Sequence, residues 1–245
     1  MTIKISNKFK NFKKTNKMNN SEFNITDIFN ITLISKSDKR LQHIAKKDTI
    51  LRNYINKKNK IEYFLAKDAK QFFVYTIIGQ LISTNVANKI YHRFSKMCNK
   101  NFSPKNILRF SLEDLRNLGM TYKKADYILS FMKILSKNKT YFKDINNISN
   151  DNDAIKELMK LHGVGKWTAK MMLLACFDRQ DIVPVEDLAF FNGYNDLYGC
   201  KKTPSQILND CKKWSPYSSM GTRCVYGYAE EVYKKKKKML SYNKM

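Results

Sequence analysis

Apolar residues recur along most of this chain at three- and four-residue intervals, the period of a helix with one buried face. The spacing predicts helices over residues 68–82 and 85–98, with Phe72, Phe73, Tyr75, Ile77 and Ile78 largely buried. Ser103-Pro104 reads as a helix start, and Ser111-Leu-Glu-Asp114 has the form of a capping box, with Gly119 as the stop that follows. Thr121 opens a helix running to about Leu135, and Asn150 or Asp151 opens another. Lys166 begins the next, Asp187 stands where a further one starts, and Thr203-Pro204 and Ser215-Pro216 open the last two. Glycines and prolines are few, 8 and 4, and neither an internal repeat nor a strand-rich segment is visible. The fold class is therefore all-α.

Between two of these helices lies Leu161-His-Gly-Val-Gly-Lys-Trp-Thr-Ala-Lys170, a glycine turn joining helix to helix. Gly163 and Gly165 are free to take left-handed angles and to admit a close neighbour. The unpaired N–H groups opening the second helix suit a phosphate. A tight turn between two core helices explains the glycines equally well. The charge bears on the partner rather than on that choice: 46 Lys and Arg against 21 Asp and Glu give +25, and a polyanion such as nucleic acid is the partner such a surface attracts. A general lysine-rich composition accounts for part of the excess.

Five cysteines, at positions 98, 176, 200, 211 and 224, form no C-x-x-C pair and no metal-ligand spacing, so a reducing, intracellular setting is expected. His43, His92 and His162 share no metal spacing either. No apolar run reaches membrane-spanning length. Residues 1–33 read as a basic arm, with a transit peptide as the less favoured alternative. Residues 236–245 read as a basic tail, and the lysine run at 234–238 as a solvated helix end rather than a localisation signal.

Downstream of the glycine turn, Asp181-Ile-Val-Pro-Val-Glu-Asp-Leu188 places an isolated carboxylate, Asp187, before an apolar helix. Taken alone it is an ordinary N-cap. Its company favours chemistry. Ile77-Ile-Gly-Gln-Leu-Ile-Ser83, Leu115-Arg-Asn-Leu-Gly-Met-Thr-Tyr-Lys-Lys-Ala125, Gly163-Val-Gly-Lys-Trp-Thr-Ala169, the Asp187 segment and Trp214-Ser-Pro-Tyr-Ser-Ser219 follow in this order. Together they resemble the helix-hairpin-helix DNA glycosylases, and within them the 3-methyladenine DNA glycosylase II family, over roughly residues 35–235.

The resemblance implies two helical subdomains flanking a cleft within residues 34–235, a helix-hairpin-helix motif, and no N-terminal β domain. It places the catalytic aspartate on Asp187, pocket aromatics on Trp167 and Tyr226, and a plug that enters the base stack on Leu81. Met171 falls in one stripe with Trp167, which by periodicity alone is core. Gln80 and Ser83 would touch the DNA backbone beside the plug, and Gly163, Gly165, Lys166 and Thr168 would do so at the hairpin. Glu186 reads as solvated. Trp167 stands where bifunctional relatives carry a lysine nucleophile, which implies water as the nucleophile here. A monovalent cation on the main-chain carbonyls of Met159, Leu161 and Val164 is also implied. The spacing of Cys200, Cys211 and Cys224 departs from the four-cysteine loop of cluster-bearing relatives, so no iron–sulfur cluster is expected. Ser218 replaces the family's arginine.

The reading is a monomeric, monofunctional glycosylase acting on alkylated purines such as 3-methyladenine and 7-methylguanine in double-stranded DNA. It needs no catalytic cofactor and works in the nucleus of a eukaryote, or in the cytoplasm or nucleoid otherwise. The alternatives are a glycosylase of the same fold for another base, such as a deaminated one, and a non-catalytic binder of damaged DNA.

Overall fold

The computed structural model describes residues 23–58 and 60–242, with side chains to residue 235. Most of the basic arm, residues 1–22, and the side chains of the basic tail lie outside the described residues.

The described residues are mostly helical. A two-stranded antiparallel sheet pairs β1 (Phe29–Ser35) with β2 (Lys60–Ala66), in a register that sets Phe29 against Ala66 and Ser35 against Lys60. Helices α1 (Lys39–Lys47) and α2 (Thr49–Asn56) bridge the two strands. The helical spacing of the sequence predicts no strands here. Those seen are only 7 residues each, and the apolar–polar alternation of Phe29-Asn-Ile-Thr-Leu33 is too short to stand out from the helical spacing around it. Phe29 also places the first strand partly inside the segment read as the arm.

The helices then run α3 (Ala69–Gly79), α4 (Thr84–Met97), α5 (Pro104–Ile107), α6 (Leu112–Asn117), α7 (Tyr122–Lys137), α8 (Tyr141–Asn147), α9 (Asp151–Leu158) and α10 (Lys166–Ala175). They close with α11 (Leu188–Tyr198), α12 (Pro204–Cys211) and α13 (Ser218–Tyr242). Most start signals act as the sequence indicates, but Ser103 makes no side-chain cap bond and Ser215-Pro216 does not open the last helix, which begins at Ser218. Ser111 and Asp114 close a reciprocal capping box, Thr121 caps Lys124 N–H, and Asn150 accepts from Asn152 and Asp153. A second capping box joins Thr203 and Gln206.

Two apolar cores result. One gathers α3 to α10 around Phe73, Ile77, Phe94, Phe131 and Leu173. The other gathers α1, α2, β2 and α11 to α13 around Leu41, Tyr194, Trp214 and Val225. Tyr226 packs against both. These are the two helical subdomains, and the segment carrying Asp187 crosses between them.

Candidate active site

Leu158 ends α9, and the chain turns through residues 159–165 into α10. The two glycines of this turn differ. Gly163 has φ of +82°, and a Cβ there would stand 2.1 Å from the Tyr127 ring, so both backbone and packing require glycine. Gly165 instead has φ of −96° and ψ of −179°, extended backbone open to any residue, and a Cβ there would meet nothing. The expectation of left-handed angles at both glycines therefore holds at Gly163 alone. At Gly165 the missing side chain leaves the outside of the turn bare.

Among the described residues no acceptor takes the N–H groups of Gly163, Gly165, Lys166, Trp167 or Thr168. These donors open α10 with its positive dipole end. Lys166 is exposed beside them, adding a full charge. Thr168 itself is buried and its hydroxyl accepts from Gln80 Nε2 at 3.1 Å, so only its main chain is available outward. The carbonyls of Met159 and Val164 accept no hydrogen bond from the described residues, and that of Leu161 accepts one, from Val164 N–H at 3.0 Å. His162 is exposed, 3.2 Å from Asp126 and edge-on to Tyr127.

Asp187 is the N-cap of α11: Oδ1 accepts from Phe190 N–H at 2.9 Å. Its other oxygen accepts from the indole Nε1 of Trp167 at 2.7 Å. This bond joins the first turn of α10 to the first turn of α11, so the carboxylate sits where the two cores meet, one turn from the hairpin. Trp167 is half-buried, with Met171 one turn further along α10. Tyr226 of α13 aims its hydroxyl at Met171 Sδ, 3.7 Å away. Burial, and then the adjacent Asp187 carboxylate, push the Tyr226 phenol well above its usual pKa. Trp167, Met171, Tyr226 and Asp187 thus meet in one place.

Glu186 is paired rather than simply solvated: Lys170 Nζ lies 2.8 Å from its carboxylate and 2.9 Å from the Val183 carbonyl. Asp187 has no cationic partner among the described residues, and neither does Asp181, which accepts from Ser215 Oγ and Ser218 N–H. The strap ahead of it is laced to α13. Ser219 N–H donates to Gln180 O, Ile182 N–H donates to Ser219 Oγ, and Thr222 Oγ1 donates to Ile182 O. Ser218, where the family has arginine, is buried and gives its N–H to Asp181 at 3.2 Å. The departure is absorbed locally.

Leu81 lies between α3 and α4 with φ of +57°, a conformation that costs a branched residue roughly 1–2 kcal/mol. Its side chain is wholly exposed, at 104 %. A leucine in water on strained backbone has no structural reason to be there. Ser83 caps α4 through Val86 N–H. Gln80, read as a contact to DNA, turns inward: Nε2 donates to Gly163 O at 3.0 Å as well as to Thr168. Lys124, which the sequence reading gave no role, donates to the carbonyls of Ile78 and Gln80 at 2.8 and 2.6 Å. Only its place in the Thr121-Tyr-Lys-Lys-Ala125 block marked it.

Residues 74–216 match the model of the HhH-GPD superfamily of base excision DNA repair proteins. The chain is 25% identical over 143 residues to DNA-3-methyladenine glycosylase 1 of Schizosaccharomyces pombe, covering 58% of this chain and 63% of that protein. It is 23% identical over 192 residues to the DNA-3-methyladenine glycosylase of Bacillus subtilis, covering 73% and 63%. It thus spans less than two thirds of the length of either relative. In fold it resembles the DNA-3-methyladenine glycosidase of Bacillus halodurans, with a TM-score of 0.73, 22% identity and 83% of this chain against 94% of the other. It also resembles the Schizosaccharomyces pombe 3-methyladenine DNA glycosylase in complex with abasic DNA, with a TM-score of 0.67, 21% identity, and 77% against 95% covered.

Proposed function

Because the chain belongs to the HhH-GPD superfamily of base excision DNA repair proteins, we propose that it is a monofunctional DNA glycosylase that removes alkylated purines from duplex DNA with Asp187 as its catalytic carboxylate. The observation that carries this reading is the Trp167–Asp187 bond between the two cores, beside a turn of free N–H donors.

The duplex backbone rests on the hairpin, where the bare Gly165 lets a phosphate approach the N–H groups of α10 and Lys166 adds charge. Met159, Leu161 and Val164 offer carbonyls, two of them without a hydrogen bond from the described residues, that would hold a monovalent cation, whose charge would strengthen the same phosphate contact. Leu81 fills the space left in the stack by the extruded nucleotide. The base enters the recess of Trp167, Met171 and Tyr226. A positively charged alkylpurine is favoured there by the polarisable indole and phenol faces.

Such a base leaves readily. The bond between N9 of the purine and C1′ of the sugar breaks, and its electron pair departs with the base, cancelling the positive charge. The sugar is left cationic. Asp187, about 3.5 Å away at an effective dielectric near 20, would stabilise that cation by roughly 4–5 kcal/mol. Water adds to C1′ and loses its proton to the carboxylate or to solvent, which leaves an abasic site. Trp167 replaces the amine that a Schiff-base mechanism needs.

Single-turnover release of 3-methyladenine or 7-methylguanine from a duplex tests the reading. Asp187→Asn is expected to slow release on the order of a thousandfold while leaving DNA affinity intact. Equal rates for the two proteins would sink the mechanism.

A further inference from the structure

We propose that Lys124 and Gln80 are positioning residues that clamp the Leu81 plug to the hairpin, so that phosphate grip and stack entry act as one rigid unit; this rests on the base-flipping reading above. The geometry is specific to this turn. α3 ends at Gly79, and its last carbonyls have no intrahelical partner. Lys124 Nζ, reaching across from α7, takes two of the turn's carbonyls, Ile78 O and Gln80 O, on either side of Gly79. It has no carboxylate partner among the described residues, and burial lowers its pKa, so the ammonium is held there by main-chain oxygens alone. An ammonium placed on carbonyls rather than left in water must return its desolvation through those bonds.

From the same turn Gln80 reaches the other way. Its Nε2 spans Gly163 O and the buried Thr168 hydroxyl, tying the residue before the plug to the hairpin glycine and to the first turn of α10. Leu81 stands just beyond, exposed and at positive φ. Without the two fastenings, a solvent-exposed leucine on strained backbone would relax toward ordinary angles or against the protein surface. The clamp keeps it projecting. A plug fixed before DNA arrives avoids the ordering cost at the moment of insertion.

The test is an insertion assay that needs no excision. A duplex carries 2-aminopurine beside a tetrahydrofuran abasic analogue, and fluorescence reports unstacking as the plug enters. Lys124→Met is expected to weaken plug-dependent opening by about tenfold, the size set by loss of a charge-assisted hydrogen bond. Lys124→Arg restores most of it. Gln80→Met, which changes no charge, is expected to act in the same direction and carries the test if Lys124→Met does not fold. In a Leu81→Ala background neither substitution has a further effect, because there is no plug left to position.

Full additivity with Leu81→Ala, or unchanged opening in both variants, overturns the clamp. If wild type and Leu81→Ala open the duplex equally, the base-flipping reading itself falls, and the clamp with it.

Discussion

Gly163 and Gly165 are two residues apart and chemically identical, yet their substitution should separate folding from binding. At Gly163 an added Cβ meets both a left-handed φ and the Tyr127 ring. Gly163→Ala is expected to destabilise the protein by about 2–4 kcal/mol, combining the conformational cost with overpacking, and a thermal melt would register it. At Gly165 there is open space and extended backbone, so Gly165→Asp should leave the melting temperature within about 2 °C. Anisotropy titration at physiological salt should nevertheless show at least a tenfold weaker hold on duplex DNA, because a carboxylate occupies the phosphate approach. The reverse pattern would mean that the hairpin is only a turn. The motif was legible in sequence, since G-x-G between two helices is a local pattern. That Gly163 is required by packing while Gly165 is not was illegible, because Tyr127 reaches Gly163 from another helix.

At the scale of elements, the turn from α3 to α4 shows where sequence reading runs out. Leu81 ends an apolar run, and periodicity assigns it to the core; only the family resemblance proposed a plug. The structure exposes it completely at φ +57°. A consequence follows for stability. Leu81→Gly relieves roughly 1–2 kcal/mol of left-handed strain and gives back up to about 1 kcal/mol through a more flexible unfolded chain. No buried contact is lost, so the free protein should melt no lower than wild type while insertion into damaged duplex fails. A melting temperature several degrees lower would mean that Leu81 supports the fold after all. The capped helix starts were legible for the opposite reason: Ser111, Thr121, Asn150 and Thr203 act within three residues of themselves. The strands were not. β1 and β2 meet only after two intervening helices, and the alternation each carries, Phe29-Asn-Ile-Thr-Leu33 and Lys60-Ile-Glu-Tyr63, spans only four or five residues.

Across the whole molecule, the proposed catalytic geometry depends on holding the second core against the first, and Asp48 is the polar centre of that second core. It is buried between α1 and α2, accepting from Leu51 N–H at 3.0 Å, Trp214 Nε1 at 2.8 Å and the Tyr198 hydroxyl, with Lys213 Nζ 2.9 Å away. Tyr198 ends α11, the helix whose first turn bears Asp187, so this hub anchors the far end of the element that aims the carboxylate. Burial alone would raise the Asp48 pKa, but the donors from Tyr198, Leu51 N–H, Lys213 and Trp214 outweigh it and hold the pKa below the usual value. An aspartate in the unfolded chain titrates near 3.9, so the stabilisation is fully present above about pH 5. It is lost progressively as the pH falls through the folded pKa, because protonation removes the charge that four donors converge on, two of them, Leu51 N–H and Trp214 Nε1, on buried residues. Asp48→Asn should therefore lower stability at pH 7 by about 2–4 kcal/mol, and by less at pH 3, where the wild type has surrendered part of the same contribution. Urea melts of both proteins at the two pH values would measure the difference. A gap that stayed constant or widened in acid would show that Asp48 does not supply the charge on which this core closes.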